Sequence, residues 1–213
     1  MRAHDVVLFG ATGFTGGLTA EYLARHAPAG LRWALAGRNR GKLEAVRARL
    51  AAIDDRFADL DLLIADSADP ASLKAVAESA KVVITTVGPY LAHGEPLVAA
   101  CAEAGTDYVD LTGEPEFVDR MYLAHDRRAR ETGARLVHAC GFDSIPHDLG
   151  VRYTVRQLPE GVPLKIDGYV RAGGMPSGGT FLSALTIMSR LPAGARVAKE
   201  RAAAEPRPAG RFA

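Results

Sequence analysis

Short apolar runs alternate with amphipathic stretches along most of the chain. Glycine, proline or acidic residues bound these runs, as is typical of buried strands. The runs cover residues 6–9, 31–36, 60–65, 81–86, 107–111 and 135–140. Between them, helical spacing of apolar side chains is clearest over 18–26, 41–52, 70–79, 97–104 and 115–132. Strands that alternate with helices predict an α/β fold with a doubly wound parallel sheet.

The pattern changes after residue 157. Residues 165–172 alternate between apolar and polar, which predicts a one-sided antiparallel strand, and residues 180–191 predict a helix. Residues 192–213 are rich in Ala, Arg and Pro without apolar periodicity, so we expect a disordered tail. The chain is therefore expected to contain one domain over 1–157 and the start of a second α/β domain over 158–213.

The end of the first strand carries the most informative motif, Gly10-Ala-Thr-Gly-Phe-Thr-Gly16. Its glycines let the backbone approach a pyrophosphate, and the N-terminus of the next helix offers free N–H donors. The spacing differs from the commoner G-x-G-x-x-G, so the order of strand, turn and helix carries the assignment. We predict a Rossmann dinucleotide-binding domain. Its turn residues are Gly10, Thr12, Gly13, Phe14, Thr15 and Gly16.

The end of the second strand distinguishes the two nicotinamide dinucleotides. Enzymes that bind the ribose hydroxyls of NAD usually place an acidic residue there. This chain instead has Arg38 followed by Asn39. Because a guanidinium pairs well with a 2′-phosphate, we predict NADP (NADPH) as the cofactor.

Two later strand ends complete the predicted cofactor site. Asp66 and Ser67 follow the third strand, and Asp66 either accepts a hydrogen bond from the adenine amino group or serves as a turn residue. Gly88 and Pro89 follow the fourth strand and let that loop lie flat against a cofactor. Ligands of doubly wound sheets bind outside the carboxyl ends of the strands, near the change in strand order.

Three side chains are candidates for the proton donor of a reduction. Tyr90 follows the fourth-strand loop, and its alternative role is to pack that loop. Asp143 and His147 follow the sixth strand, where Asp143 or Ser144 is also expected to cap the next helix. Glu114 is either a cleft carboxylate or a favourable charge at a helix N-terminus. No tyrosine has a lysine four residues later, which disfavours short-chain dehydrogenase chemistry.

Composition narrows the expected partners. The chain has 26 Lys and Arg against 25 Asp and Glu, without a basic stripe, so we expect no nucleic-acid partner. No apolar run is long enough for a membrane span. Cys101 and Cys140 lack metal-type spacing, and we expect no metal. The N-terminus enters a strand after five residues, which leaves no room for a signal peptide and predicts a cytoplasmic protein.

Five segments resemble the saccharopine dehydrogenase-like oxidoreductases, specifically the trans-acting enoyl reductase branch. They are residues 10–16, 36–39, 86–90, 108–114 and 141–146. Family members are longer, so the chain resembles a member truncated at its C-terminus. The resemblance implies a Rossmann domain followed by an α/β domain with substrate and dimer contacts, and a homodimer in the full-length protein. It also implies hydride transfer from NADPH to a carbon–carbon double bond of a lipid or polyketide intermediate. A non-catalytic NADP-binding regulatory or scaffold protein is the alternative.

Overall fold

The computed structural model describes residues 2–171, 173 and 178–206. Six strands are present: β1 His4–Phe9, β2 Trp33–Gly37, β3 Asp61–Ile64, β4 Ala80–Thr85, β5 Asp107–Asp110 and β6 Leu136–Val137. The first five helices are α1 Phe14–His26, α2 Arg40–Ala51, α3 Pro70–Ser79, α4 Tyr90–His93 and α5 Glu95–Ala104. The others are α6 Pro115–Thr132, α7 Ile145–Val155, α8 Gly178–Ser189 and α9 Leu191–Ala204, and a 3-10 helix covers Asp55–Phe57.

All six strands form one parallel sheet in the order β3-β2-β1-β4-β5-β6. This is the strand order of the Rossmann fold, so the predicted fold class is confirmed. β1 pairs with β2 on one side and with β4 on the other, and the direction of winding reverses between β1 and β4. The loops after these strands therefore border the crevice where such sheets bind ligands.

Apolar side chains cover both faces of the sheet. Along β1, Val7 and Phe9 join one buried cluster and Leu8 joins the other, because successive side chains of a strand point to opposite faces. Leu73 of α3 belongs to the first cluster and Leu43 of α2 to the second. Burial on both faces explains why the central strands read as continuous apolar runs.

Two predicted helix caps have different outcomes. Asp69 accepts a hydrogen bond from the backbone N–H of Ala71 at 3.1 Å, and Pro70 occupies the first helical position of α3, as predicted. Ser144 stands at the N-cap position of α7, but no side chain makes a capping hydrogen bond there. Ser144, one of the two predicted residues, is therefore the N-cap residue, but the capping hydrogen bond expected of its side chain is absent.

The strand predicted over 165–172 is wrong for residues 165–171, and residue 172 lies outside the described residues. Residues 158–171 contain no helix or strand, and apolar side chains such as Ile166, Tyr169 and Val170 are exposed. Alternation determines only which side chains share a face, whereas a strand also requires a backbone partner. No strand described in the structure pairs with this segment.

The prediction of a disordered tail is also wrong over its first part, because α9 covers Leu191–Ala204. This helix packs along α6 with Val197 buried, and Arg201 pairs with Asp119 at 2.9 Å. Alanine and arginine favour helix by intrinsic propensity even where apolar periodicity is weak, which explains the error. Residues 207–213 lie outside the described residues.

The described residues also bear on the expectations about membrane spans, metal ions and cysteines. Within the described parts of the chain, no helix is both long and apolar enough to cross a membrane. Nor do the described His, Cys, Asp and Glu side chains form a group of three or more that could hold a metal ion. Cys101 and Cys140 are free thiols. Burial raises the pKa of the Cys101 thiol to about 12, so this side chain serves packing rather than chemistry.

Candidate cofactor and substrate site

The glycine turn after β1 depends on close backbone approaches. Gly10 has a φ of +87°, in the left-handed region that glycine adopts at little cost. A Cβ atom at Gly16 would lie 2.1 Å from the carbonyl oxygen of Gly10. The first turn of α1 can therefore pack against the glycine turn only if this position has no side chain. Gly13 differs, because its φ is −78° and a Cβ atom there would lie 3.4 Å from the same oxygen. Gly10 and Gly16 are thus required by the backbone conformation and packing of the turn, whereas glycine at position 13 leaves room for a ligand beside the turn.

The start of α1 is open to an anion. Gly13 is its N-cap residue, and no side chain caps the helix, so the first N–H groups have no side-chain acceptor. Phe14 at the first helical position is 75% exposed. No acidic residue stands in the first turn. Such a helix N-terminus favours a phosphate through its N–H donors and its partial positive charge.

A cavity of about 320 Å³ lies over the carboxyl ends of β1 to β4. Seven of the predicted cofactor residues line it: Gly10, Thr12, Gly13, Arg38, Asp66, Ser67 and Gly88. The other five, Phe14, Thr15, Gly16, Asn39 and Pro89, are not among its lining residues, although Phe14 and Thr15 border the neighbouring cavity. The strand order and the glycine turn therefore bring seven of the twelve predicted residues to one crevice.

Arg38 provides the positive charge of this crevice. Its side chain is exposed at the end of β2 and forms no ion pair or hydrogen bond with the residues that the structure describes. Arg40, two residues later, lies 4.0 Å from Glu44. The guanidinium of Arg38 is therefore available to an anionic group of a ligand.

Two predicted cofactor residues have local structural partners. The side chain of Asn39 accepts a hydrogen bond from the backbone N–H of Lys42 at 2.9 Å and caps α2. Asp66 accepts one from the backbone N–H of Ala68 at 2.9 Å, which matches its alternative role in a turn. Contacts of either side chain with a cofactor stay predictions.

Thr86 is a site residue that the sequence predictions omit. It follows β4, and its hydroxyl donates to the carbonyl oxygen of Gly10 at 3.2 Å, which links the loops after β4 and β1. The sequence feature that could have indicated Thr86 is a hydroxyl side chain at the end of an apolar strand. Further along the same loop, Gly88 and Pro89 are joined by a cis peptide bond.

Tyr90 packs the loop rather than pointing freely into the cleft. Its side chain is buried, and its hydroxyl donates to the carbonyl oxygen of Thr85 at 3.2 Å. Its ring lies beside Phe117, with the ring centres 5.8 Å apart. Burial, with the nearby charge of Asp110, raises the pKa of the Tyr90 hydroxyl well above its ordinary value. This geometry favours the packing role, and catalysis by Tyr90 stays a prediction.

Glu114 is buried and fully engaged. Its carboxylate accepts hydrogen bonds from the backbone N–H groups of Tyr90 at 3.0 Å and Leu91 at 2.8 Å. The hydroxyl of Ser183 in α8 donates to the same carboxylate at 2.7 Å. Glu114 precedes α6 but makes no capping hydrogen bond with its side chain. The side chain therefore holds other segments together, a role that local sequence reasoning did not consider.

A second cavity, of about 480 Å³, adjoins the cofactor crevice, and Thr86 and Gly88 line both. The first turn of α1 and one side of α8 form much of its wall. Its other lining residues are Phe14, Thr15, Tyr90, Leu111, Gly113, Asp143, Gly178, Gly179, Thr180, Ser183, Ala184 and Ile187. The arrangement provides space for a second ligand next to the first.

Asp143 and His147 occupy different positions relative to this cavity. Asp143 is exposed and lines it, whereas His147 does not. The His147 ring packs against Phe142 with the ring centres 5.8 Å apart, and its buried Nδ1 has no hydrogen-bond partner among the described residues. Of the two, Asp143 is the one that can face a ligand there.

A buried polar cluster supports the floor of the second cavity. Asp110, at the end of β5, accepts a hydrogen bond from the hydroxyl of Tyr108 at 2.9 Å and lies 2.7 Å from Nδ1 of His138. It also accepts the backbone N–H of Thr112 at 3.0 Å. The hydroxyl of Thr112 in turn accepts the backbone N–H of Glu114 at 3.1 Å. This cluster fixes the segment that carries Glu114.

A comparison with protein families identifies the family of this chain. The model of the saccharopine dehydrogenase NADP binding domain matches residues 6–137. The chain belongs to this family. The match runs from β1 to β6 and includes both the glycine turn and Arg38, so the predicted cofactor, NADP, is confirmed. Three features suit a dinucleotide with an additional phosphate. They are the glycine at position 13, the N-terminus of α1 without a side-chain cap, and the guanidinium of Arg38, which has no partner among the described residues.

Mycobacterial proteins are similar over most of the chain. The trans-acting enoyl reductase of Mycobacterium bovis (strain BCG / Pasteur 1173P2) is 52% identical over 159 residues, which cover 75% of this chain and 37% of that protein. A relative from Mycobacterium tuberculosis (strain H37Rv) is 49% identical over 193 residues, 88% of this chain and 45% of its own. The chain thus spans less than half the length of the curated relatives it matches.

A solved structure shares the fold at low sequence identity. Apo saccharopine dehydrogenase (L-Glu forming) from Saccharomyces cerevisiae aligns with a TM-score of 0.52 at 19% identity. The alignment covers 72% of this chain and 31% of the yeast chain. This likeness supports the α/β architecture alone.

Proposed function

We propose that the protein is an NADPH-dependent oxidoreductase that transfers a hydride to a carbon–carbon double bond of a lipid or polyketide intermediate. The observation that carries the proposal is the pair of adjoining cavities that share Thr86 and Gly88. One cavity suits the dinucleotide, and the other offers room for an acceptor beside it. The name trans-acting enoyl reductase, carried by relatives about half identical to this chain, supports the reaction type.

The residues of the chain would act mainly by positioning the cofactor and the acceptor. NADPH supplies the hydride when it is bound. The N-terminus of α1 and Arg38 would hold its phosphates, and Gly13 leaves the space they need. Thr86 and Gly88 border both cavities and would keep the acceptor close to the cofactor. Such positioning lowers the barrier because the reactants need not find their orientation during the reaction.

Asp143 is the proton-donor candidate that the geometry favours. It borders the second cavity and is exposed to a ligand there. Tyr90 also borders this cavity, but its hydroxyl donates to Thr85. His147 lies beside Phe142 instead. Replacing Asp143 by Asn should lower the rate of acceptor reduction without weakening NADPH binding.

The direct test is NADPH consumption with a panel of unsaturated acyl thioesters. We expect consumption that depends on the double bond, with the saturated thioester of the same chain length as the control. NADPH binding without consumption for any acceptor would favour the non-catalytic regulatory or scaffold alternative. The Asp143→Asn variant, measured in the same assay, separates loss of chemistry from loss of cofactor binding.

The expected homodimer belongs to the same proposal. Large apolar side chains of α7 and α8, including Tyr153, Phe181 and Met188, are exposed and support further contacts on this side. The dimer is expected of the full-length protein, so light scattering on that longer protein tests it, and a mass of one chain there would contradict a dimer. The cytoplasmic location stays a prediction.

A further inference from the structure

We propose that Glu114 is a positioning residue that fixes the loop between the cofactor crevice and the second cavity, and that Ser183 holds Glu114 in place. The inference depends on the cofactor crevice of the proposed function and not on the identity of the hydride acceptor. Its tests therefore use cofactor affinity, which can be measured whether or not any acceptor is reduced.

The loop is anchored on both sides of Gly88, one of the two residues that border both cavities. Gly88 lines the crevice and the second cavity. Two residues later, the successive backbone N–H groups of Tyr90 and Leu91 both donate to the carboxylate of Glu114. Two hydrogen bonds to one charged group restrict the rotation of that peptide segment more than a single bond would. The hydroxyl of Tyr90 adds a third anchor on Thr85 at the end of β4.

Glu114 is itself held from two directions. Its backbone N–H donates to Thr112, which is fixed by the buried Asp110. Its Oε1 accepts both the N–H of Tyr90 and the hydroxyl of Ser183. Ser183 lies on the wall of the second cavity, 69 positions away in the sequence. One residue therefore connects three segments: its carboxylate binds α8 and the loop after β4, and its backbone N–H binds the segment after β5.

The same contacts argue against other roles for Glu114. Its side chain is only 2% exposed, and three donors occupy its two oxygens, so it is poorly placed to exchange a proton with a ligand. Although Glu114 is the N-cap residue of α6, its side chain makes no capping hydrogen bond there. Two of the three donors belong to the loop after β4, and the third belongs to α8 on the wall of the second cavity.

Glu116 provides a matched control. It is also buried at the start of α6, but its carboxylate pairs with Arg190 and Arg120, away from the loop after β4. Arg190, with Arg120 beside it, holds the pKa of the Glu116 carboxyl below its usual value. Both glutamates are thus structurally engaged, and only Glu114 contacts the loop.

The experiment compares NADPH affinity in Glu114→Gln and Glu116→Gln. Glutamine keeps the shape of glutamate but replaces one acceptor oxygen by an amide NH₂ that faces a backbone N–H. We expect the Kd for NADPH to rise on the order of tenfold in Glu114→Gln, the range for a lost hydrogen bond to a charged group, and to change little in Glu116→Gln. Thermal melting of both variants measures the purely structural cost. An unchanged Kd in Glu114→Gln, or an equal rise in both variants, would overturn the proposal.

A second pair of variants keeps the test decisive if Glu114→Gln fails to fold. Ser183→Ala removes one donor to Glu114, whereas Ser189→Ala removes an exposed hydroxyl of the same helix that donates only to the carbonyl oxygen of Thr186. We expect the Kd for NADPH to rise roughly threefold in Ser183→Ala, as for one neutral donor, and to stay the same in Ser189→Ala. Equal Kd values for the two variants would contradict the role of Ser183 and the link through Glu114.

Discussion

The two walls of the candidate site are held in different ways. The cofactor wall consists of turns at the ends of strands that are paired within one sheet and covered by buried apolar side chains. The substrate wall is largely α8, which has no buried residue. Polar contacts such as Ser183 with Glu114 and Arg190 with Glu116 connect this part of the chain to α6 and its N-cap residue.

The core of the sheet therefore determines the position of the cofactor wall, whereas a few polar contacts determine the position of α8. The core of the sheet fixes the glycine turn whether or not a ligand is bound, because its neighbours cannot move without loss of packing. A helix with exposed apolar side chains and few tethers belongs to the less stable part of a structure. We therefore expect changes in the cofactor wall to act on folding or on NADPH, and changes in the tethers to have small effects on stability.

The largest effect is expected at Gly16. Replacing it by Ala places a Cβ atom 2.1 Å from the carbonyl oxygen of Gly10, a backbone atom that cannot move aside cheaply. The free energy of unfolding should fall by at least about 3 kcal/mol, the upper range for overpacking, as measured by denaturant titration. Gly150→Ala is the control, because nothing lies within 4 Å of that position in α7. Similar stabilities of the two variants would contradict the claim that the turn requires glycine at position 16.

Gly13→Val should instead abolish NADPH binding while the protein stays folded. The φ of Gly13 is −78°, which valine also adopts, and a Cβ atom there would lie 3.4 Å from the nearest atom, the carbonyl oxygen of Gly10, an ordinary contact. The side chain would then occupy the volume assigned to the pyrophosphate. Calorimetry measures binding and circular dichroism measures folding. Retained affinity would mean that Gly13 serves the turn alone.

Arg38→Ala tests the selectivity of the cofactor wall. Loss of a charge-assisted pair with the 2′-phosphate should weaken NADPH binding by about 1.5–3 kcal/mol and leave NADH binding unchanged. Arg40→Ala serves as the neighbouring control, since Arg40 already has Glu44 as a partner and does not line the crevice. Equal losses for both cofactors in Arg38→Ala would show that Arg38 acts on the fold rather than on the phosphate.

The smallest effect is expected in the packing of α9. Arg201 pairs with Asp119 and lies over the ring of Tyr122, 4.8 Å from its centre. Because the pair is partly buried, Arg201→Ala should lower the free energy of unfolding by about 1 kcal/mol. Arg196→Ala, which removes an exposed pair with Glu200 in the same helix, should cost less than about 0.5 kcal/mol. Denaturant titration of both variants distinguishes the contact from helix propensity.

The sequence predicted the strands, helices and turns of the Rossmann sheet well because their signals are local. Pro115 and Gly133 bound α6 within the sequence pattern, and Asp69 with Pro70 marks the start of α3. Glycines that follow an apolar run predicted the turn after β1. Each of these signals acts over a few residues, so a single sequence contains all of it.

The helix predicted over 180–191 corresponds to α8, Gly178–Ser189. Other parts of the C-terminal third were predicted poorly because their structure depends on distant contacts. The alternation over 165–171 indicated a strand, although pairing depends on a neighbour that the pattern cannot supply. The helix at Leu191–Ala204 buries Val197 against the rest of the fold and shows little periodicity. Glu114 could be recognised as a candidate, but its partner Ser183 is remote in sequence. Only the folded chain brings these groups together.

The most direct test of the central claim is a calorimetric titration of the wild-type protein with NADPH and with NADH. The account holds that the sheet builds a crevice in which the unpaired Arg38 binds the 2′-phosphate. It predicts that NADPH binds at least about tenfold more tightly than NADH, the factor for one charge-assisted pair. Equal affinities for the two cofactors, or no binding of either, would contradict it.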